Sequence, residues 1–92
     1  MERLKVRTGE REELKDITGE IERIIEKKGW KDYEGNSDAH IKASLTGSSL
    51  LLMVEGGRLR LGRWQRVFFA EFDGPRQREV WISFLPSQRC PG

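Results

Sequence analysis

Ser49-Leu50-Leu51-Leu52-Met53-Val54, then Glu55-Gly56-Gly57, then Arg58-Leu59-Arg60-Leu61: this stretch decides the fold. A short apolar run bounded by turn residues reads as a buried strand. Two adjacent glycines permit the positive φ that a tight hairpin needs. The returning segment alternates, with Leu59 and Leu61 on one face. The stretch therefore predicts an antiparallel hairpin.

Downstream, Gly62 interrupts the pattern and predicts a bulge or a sharp bend. Residues 64–72 predict a second long strand, with Trp64, Phe68, Ala70 and Phe72 in even register. Asp73-Gly74-Pro75 turns the chain. Residues 77–85 predict a final strand with Val80, Ile82 and Phe84 on one face, and residues 86–92 a frayed tail. Upstream, Leu4 and Val6 alternate with charged residues, as in a short first strand. Residues 10–15 read as polar and turn-like. Ile17, Ile21, Ile24 and Ile25 then form one apolar stripe at helical spacing. Asp16 or Thr18 can cap that helix, Glu20 and Glu22 suit its positive end, and Lys27 and Lys28 its negative end. Gly29 supplies the left-handed residue that ends it. Residues 30–38 read as a loop and residues 41–45 as a short mixed segment.

The order is strand, helix, long loop, then three or four antiparallel strands, which is α+β. Both registers are apolar between Val67 and Phe72. Such a strand is buried on both faces, and one helix is too little to cover it. The expectation is therefore self-association.

Composition narrows the function. The chain has 92 residues, so residues 1–92 are expected to form one domain. With 36% hydrophobic and 35% charged residues it is too apolar and patterned for disorder. Dense Glu, Lys and Arg suit a thermophilic source. A net charge of +2 demands no polyanionic partner. Cys90 is the single cysteine, which excludes an internal disulfide framework, and without a base near it in sequence it is no candidate nucleophile. Residues 1–10 show no apolar leader and no stretch approaches a membrane span, so a cytoplasmic protein with no membrane partner is expected. Arg58, Arg60, Arg63 and Arg66 around Trp64 invite a nucleic-acid reading, but basic residues alternating with Leu59 and Leu61 are more simply a solvated face, and no nucleic-acid partner is expected.

Three stretches resemble a known family. They are Asp16-Ile17-Thr18; the run from Glu34-Gly35-Asn36-Ser37-Asp38-Ala39-His40 to Leu45, with Gly47-Ser48-Ser49; and Gly57-Arg58-Leu59-Arg60-Leu61-Gly62-Arg63-Trp64-Gln65 with Glu71-Phe72-Asp73-Gly74-Pro75-Arg76-Gln77-Arg78. In order and spacing they resemble the signature segments of the YjbQ-like family, the secondary thiamine-phosphate synthases. The resemblance implies an antiparallel β-sandwich-like sheet with one amphipathic helix, assembled as a homotrimer. It also implies a transferase that joins a pyrimidine pyrophosphate to a thiazole phosphate, so a small phosphorylated substrate. The alternative is a non-catalytic oligomeric protein of the same fold that binds a ligand or metal. The family's "HTTA" and "NE" segments, two strands and a second helix have no counterpart here. Between Gly29 and Glu34 a break, or a loop rerouted over the helix, is expected.

The resemblance also implies roles. His40 matches the histidine of the family's "AH" motif, and Asp38 stands where many members carry another histidine. Together they could hold zinc or magnesium, while a structural histidine is the plainer alternative. Glu71 and Arg76 are candidate catalytic groups, a carboxylate for a cation and a guanidinium for phosphate oxygens. Asn36, Ser37, Asp73 and Trp64 are candidate substrate contacts, Trp64 by stacking on a flat heterocycle. The competing reading of the 71–78 turn is structural, with Asp73 bonding its own backbone and Arg76 paired to Glu71.

Overall fold

The computed structural model describes residues 1–30, 39–45 and 48–85. Its elements are β1 (Glu2–Arg7), β2 (Glu13–Asp16), α1 (Thr18–Lys28), β3 (Ala39–Leu45), β4 (Ser48–Glu55), β5 (Arg58–Leu59), β6 (Phe68–Glu71) and β7 (Gln77–Leu85). Five strands form one antiparallel sheet in the order β1-β7-β3-β4-β5, and β2 pairs with β6 in a second. Among the described residues the fold is thus mostly antiparallel sheet with one helix.

Alternation builds the large sheet. Leu4 and Val6 of β1, Val80 and Ile82 of β7, Ala39, Ile41 and Ala43 of β3, and Leu52 and Val54 of β4 point to one face and are buried. On that face lie the helix and the small sheet. Ile17, Ile21 and Ile25 bury the predicted helical stripe, and Val67 and Phe69 complete the same core. The opposite face carries Arg3, Lys5, Lys42 and Glu79, which suits water.

The helix ends as its sequence predicts. Gly29 is left-handed at φ 63°. Its N–H donates to the Glu26 carbonyl at 3.1 Å, and the Trp30 N–H donates to that of Ile25 at 3.0 Å. This double closure satisfies carbonyls that a helix otherwise leaves open. Trp30 then stacks on Phe84 with ring centroids 5.4 Å apart. At the other end Asp16 Oδ1 accepts from the Thr18 N–H at 2.9 Å, while Ile17 occupies the cap position itself. The Gly56-Gly57 turn also forms as expected, with φ 61° and 79°.

Several expectations are corrected. Residues 13–16 are not turn but strand, because β6 supplies the partner that a segment with one apolar residue, Leu14, could not predict. The long strand expected over 64–72 shrinks to Phe68–Glu71. Its register is odd: Val67, Phe69 and Glu71 face inward, while Phe68 and Phe72 are 52% and 73% exposed. With both registers apolar, hydrophobicity could not choose between them. The returning arm of the hairpin is shorter, Arg58–Leu59. In β4 only the second half is buried; Leu50 and Leu51 are 48% and 57% exposed. Among the described residues five strands, rather than three or four, follow the helix, and one of them, β6, pairs with β2 in the small sheet. The region between Gly29 and Glu34, and the tail over 86–92, lie outside the described residues.

Ile21 has no exposed surface, on the helix face that seals the core. Ile21→Ala should lower the unfolding free energy by about 2–5 kcal/mol, read from the urea midpoint at unchanged slope. A loss below about 1 kcal/mol would mean that the helix does not pack there.

Candidate functional site

The 71–78 segment is where β6 turns into β7, and its charges form one connected cluster. Phe69 faces inward, so alternation aims the next odd residue, Glu71, inward too. Glu71 is only 3% exposed. A buried carboxylate needs partners, and this one has three. Arg78 donates through Nη2 to Oε2 at 2.8 Å and through Nε to Oε1 at 3.0 Å. Thr8, just past β1, donates its hydroxyl to Oε1 at 2.8 Å, and the Asp73 N–H reaches Oε2 at 3.3 Å. Arg78 in turn faces the core side of β7, in register with Val80 and Ile82.

These contacts hold the Glu71 carboxyl down at about 2 against an ordinary 4.5. The Arg78 hydrogen bond contributes most, burial opposes it, and Thr8 and the Asp73 N–H add to the lowering. Arg78 is raised for the matching reason, chiefly its bond to Glu71.

Thr8 also stitches the strands. Its Oγ1 accepts from the Arg76 N–H at 2.9 Å, and its own N–H donates to the Arg76 carbonyl at 2.8 Å. The turn above it is held close. The Gly74 N–H donates to the Arg11 carbonyl at 2.9 Å. A Cβ on Gly74 would stand 2.2 Å from the Glu10 carbonyl oxygen and 2.9 Å from Thr8 Oγ1, so glycine is required by space. The Gly74-Pro75 peptide is cis.

On the solvent side of this turn sit Asp73 and Arg76. Arg76 Nη2 lies 3.0 Å from Asp73 Oδ2, and its Nε donates to the Asp73 carbonyl at 2.8 Å. The pairing expected between Arg76 and Glu71 is therefore corrected: Arg78 takes Glu71, and Arg76 takes Asp73. The turn between the two strands brings Arg78, rather than Arg76, to the inward face beside Glu71.

Trp64 is not in a strand. Gly62 to Gln65 form a turn in which the Gln65 N–H donates to the Gly62 carbonyl at 3.0 Å, and the Gly62 N–H donates to Gln65 Oε1 at 2.6 Å. This leaves Trp64 85% exposed, with the Arg63 guanidinium 5.2 Å from its ring centroid. Next to it Arg66 Nε donates to Asp16 Oδ2 at 2.7 Å, and the Val67 N–H donates to Thr18 Oγ1 at 2.8 Å. The Asp16 carboxyl is held at about 2, first by Arg66 and then by Thr18. The Asp16-Ile17-Thr18 segment thus clamps the segment that follows Gln65.

His40 stands apart. It is half-buried on the open face of the large sheet, opposite Met53 on β4 and Leu85 on β7. Arg78 lies seven residues before Leu85 on the same strand, about 23 Å away at ~3.3 Å per residue, and points to the other face. Within one copy His40 does not meet Glu71, Asp73 or Arg76. Asn36, Ser37 and Asp38 lie outside the described residues. Among the described residues no three His, Cys, Asp or Glu side chains converge on one point. His40 alone does not make a metal centre. Thr8 was not singled out by sequence; its only signal is that it follows the last alternating residue of β1.

Beside the cluster runs an apolar trough of about 400 Å³ between the β3–β4 end and β6, lined among others by Leu45, Leu50, Phe68 and Phe72. It continues towards Glu71, Asp73 and Arg78.

Comparison with known proteins bears on these segments. The family model described as UPF0047 protein YjbQ-like matches residues 26–87. A UPF0047 protein of Archaeoglobus fulgidus is 46% identical over 85 residues, covering 89% of this chain and 68% of its own. One of Methanocaldococcus jannaschii is 46% identical over 71 residues, 76% of this chain and 51% of its own, so this chain spans about half its length. Among solved structures, a conserved hypothetical protein of Thermus thermophilus is 26% identical with a TM-score of 0.74, covering 92% of this chain and 100% of that one. A hypothetical protein of Aeropyrum pernix, 21% identical with a TM-score of 0.76 over 94% of this chain and 98% of that one, shares the fold.

A carboxyl with a lower pKa folded than unfolded stabilises the fold above its unfolded value and loses that contribution as pH falls through the folded one. For Glu71 the window runs from 4.5 down to about 2. The urea midpoint should fall across that window. Glu71→Gln should be less stable at pH 7, and its deficit should shrink towards pH 2. An equal deficit at both ends would show that the Glu71 charge contributes nothing.

Proposed function

We propose that this chain, which belongs to the UPF0047 YjbQ-like family, is an oligomeric protein whose Asp73–Arg76 turn binds a small phosphorylated ligand, and in which Glu71 and Arg78 hold that turn rather than carry chemistry. One observation carries the reading. Both Glu71 oxygens are taken by Arg78, Thr8 and the Asp73 N–H in a nearly sealed site, while the Arg76 guanidinium, about half exposed, stands outside on the turn they fix. A planar guanidinium recognises phosphate oxygens with paired donors. Asp73 positions it when no ligand is bound. Trp64, exposed on the neighbouring signature turn, offers a face to a flat heterocycle.

The second reading is thiamine-phosphate synthase-like transfer, joining a pyrimidine pyrophosphate to a thiazole phosphate. The signature segments favour it. It requires His40 to arrive at the Asp73–Arg76 turn from another copy, as the trimer implied by the resemblance would allow. Zinc or magnesium at His40 and Asp38 belongs to this reading. The strand exposed at Phe68 and Phe72 supplies apolar surface for such an assembly.

Calorimetric titration with inorganic pyrophosphate and with thiamine phosphate distinguishes these readings. Binding weakened at least tenfold by Arg76→Ala, with no product formed from the two half-molecules, supports the ligand-binding reading. Product formation that requires His40 and added zinc or magnesium supports the transferase. Absence of binding at millimolar ligand, or binding that Arg76→Ala leaves unchanged, overturns the proposed site.

A further inference from the structure

β4 has eight residues, but β5 pairs with only Val54 and Glu55. Beyond them the Arg60 N–H donates to the Met53 carbonyl at 2.9 Å. The Met53 carbonyl therefore points away from β3, towards the outer edge. In an antiparallel ladder the N–H and C=O of one residue point the same way, and direction alternates along the strand. Leu51 and Ser49 must then also point outward. Among the described residues no strand pairs with them there. Leu50 and Leu52 point inward, to β3.

An open edge normally carries a guard: a charge, a proline or a bulge. Here the run from Ser48 to Val54 has no charge and no proline, and it pairs with β3 without interruption. Leu50 and Leu51, on opposite faces, are 48% and 57% exposed.

We propose that this edge pairs antiparallel with the β4 edge of a second copy of the chain across a two-fold axis at Leu50. Register selects this arrangement. The two free residues of one copy must meet the two free residues of the other. With Ser49 opposite Leu51 of the second copy, and Leu51 opposite its Ser49, both are used, and each pair exchanges two N–H···O bonds. Leu50 then faces its own equivalent in a non-hydrogen-bonded pair, with Cα atoms about 4.5 Å apart. Shifting the register by one residue would put the core face of one sheet beside the open face of the other. Shifting by two would call on Met53, whose carbonyl is already used, or on residue 47. The two Leu50 side chains would meet over the trough that Leu50 shares with Phe68 and Phe72. The uncharged run is what makes self-pairing favourable, since a two-fold axis otherwise sets like charges side by side.

This contact goes beyond the ligand site and does not depend on it. Light scattering on the 92-residue chain should give an even assembly, a dimer or, where a three-fold contact also forms, a hexamer. Leu50→Lys, at a position half exposed in one copy, should halve that mass while the circular dichroism stays unchanged. In a Cys90→Ser background, Leu50→Cys should form an intermolecular disulfide under mild oxidation. A monomer or trimer for the unaltered chain, or a Leu50→Lys variant that folds and keeps its full mass, overturns the proposal. If Leu50→Lys does not fold, the Leu50→Cys crosslink decides: its absence overturns the contact.

Discussion

The Glu71 carboxylate, taken up by Arg78 and Thr8, is the interaction on which the rest of the structure depends. It joins three points of the chain: the end of β1, the end of β6 and the start of β7. The pair is partly desolvated, and such pairs cost more to break than they add over an apolar alternative. Its value lies in selecting one arrangement. With Glu71 turned inward, β6 can take only the odd register, and the small sheet seats Phe69 in the core. With Thr8 tied to Arg76, β1 enters the large sheet beside β7. The turn's outer charges are placed as a consequence, with Arg76 and Asp73 outside a turn whose interior is filled.

The division between framework and candidate site follows from that interaction. Conflicting demands on one carboxylate are resolved in favour of structure, because an acceptor with both oxygens engaged in a buried site is not free for a cation or a proton. The exposed guanidinium and indole on the neighbouring turns meet the opposite condition. They sit on rigid supports with their polar or flat faces towards solvent, which is how recognition groups are usually presented. The sheet shows the same contrast: one face sealed by helix and small sheet, the other open, and β4 left without an outer partner along half its length among the described residues.

Much of this was legible in the residues. The isoleucine stripe, Gly29, the Gly56-Gly57 turn and the alternation in β1 and β7 each follow from a local rule, and each is where that rule puts it. Two readings failed where local rules run out. β2 is short, with Leu14 its one apolar residue, and it is a strand only because β6 lies beside it. The segment over 64–72 is apolar in both registers, so the choice fell to Glu71, whose inward position is set by Arg78 and Thr8, neither of them adjacent in sequence. The grouping on one turn was legible: Glu71, Asp73 and Arg76 all lie on it, but Arg76 pairs with Asp73 on its outside, and the partnership of Arg78 with Glu71 depends on geometry across the turn. The place of His40 on the open face could have been inferred from Ala39, Ile41 and Ala43, which claim the inward face on either side of it.

A double-mutant cycle in urea at pH 7, with Glu71→Gln, Arg78→Gln and both together, tests whether Glu71 and Arg78 act as one unit. If the two side chains act as one unit, each single change leaves a partner stranded, and the double variant is no less stable than the weaker single one. Two losses that simply add would mean that Glu71 and Arg78 act independently and that the buried pair does not select the fold.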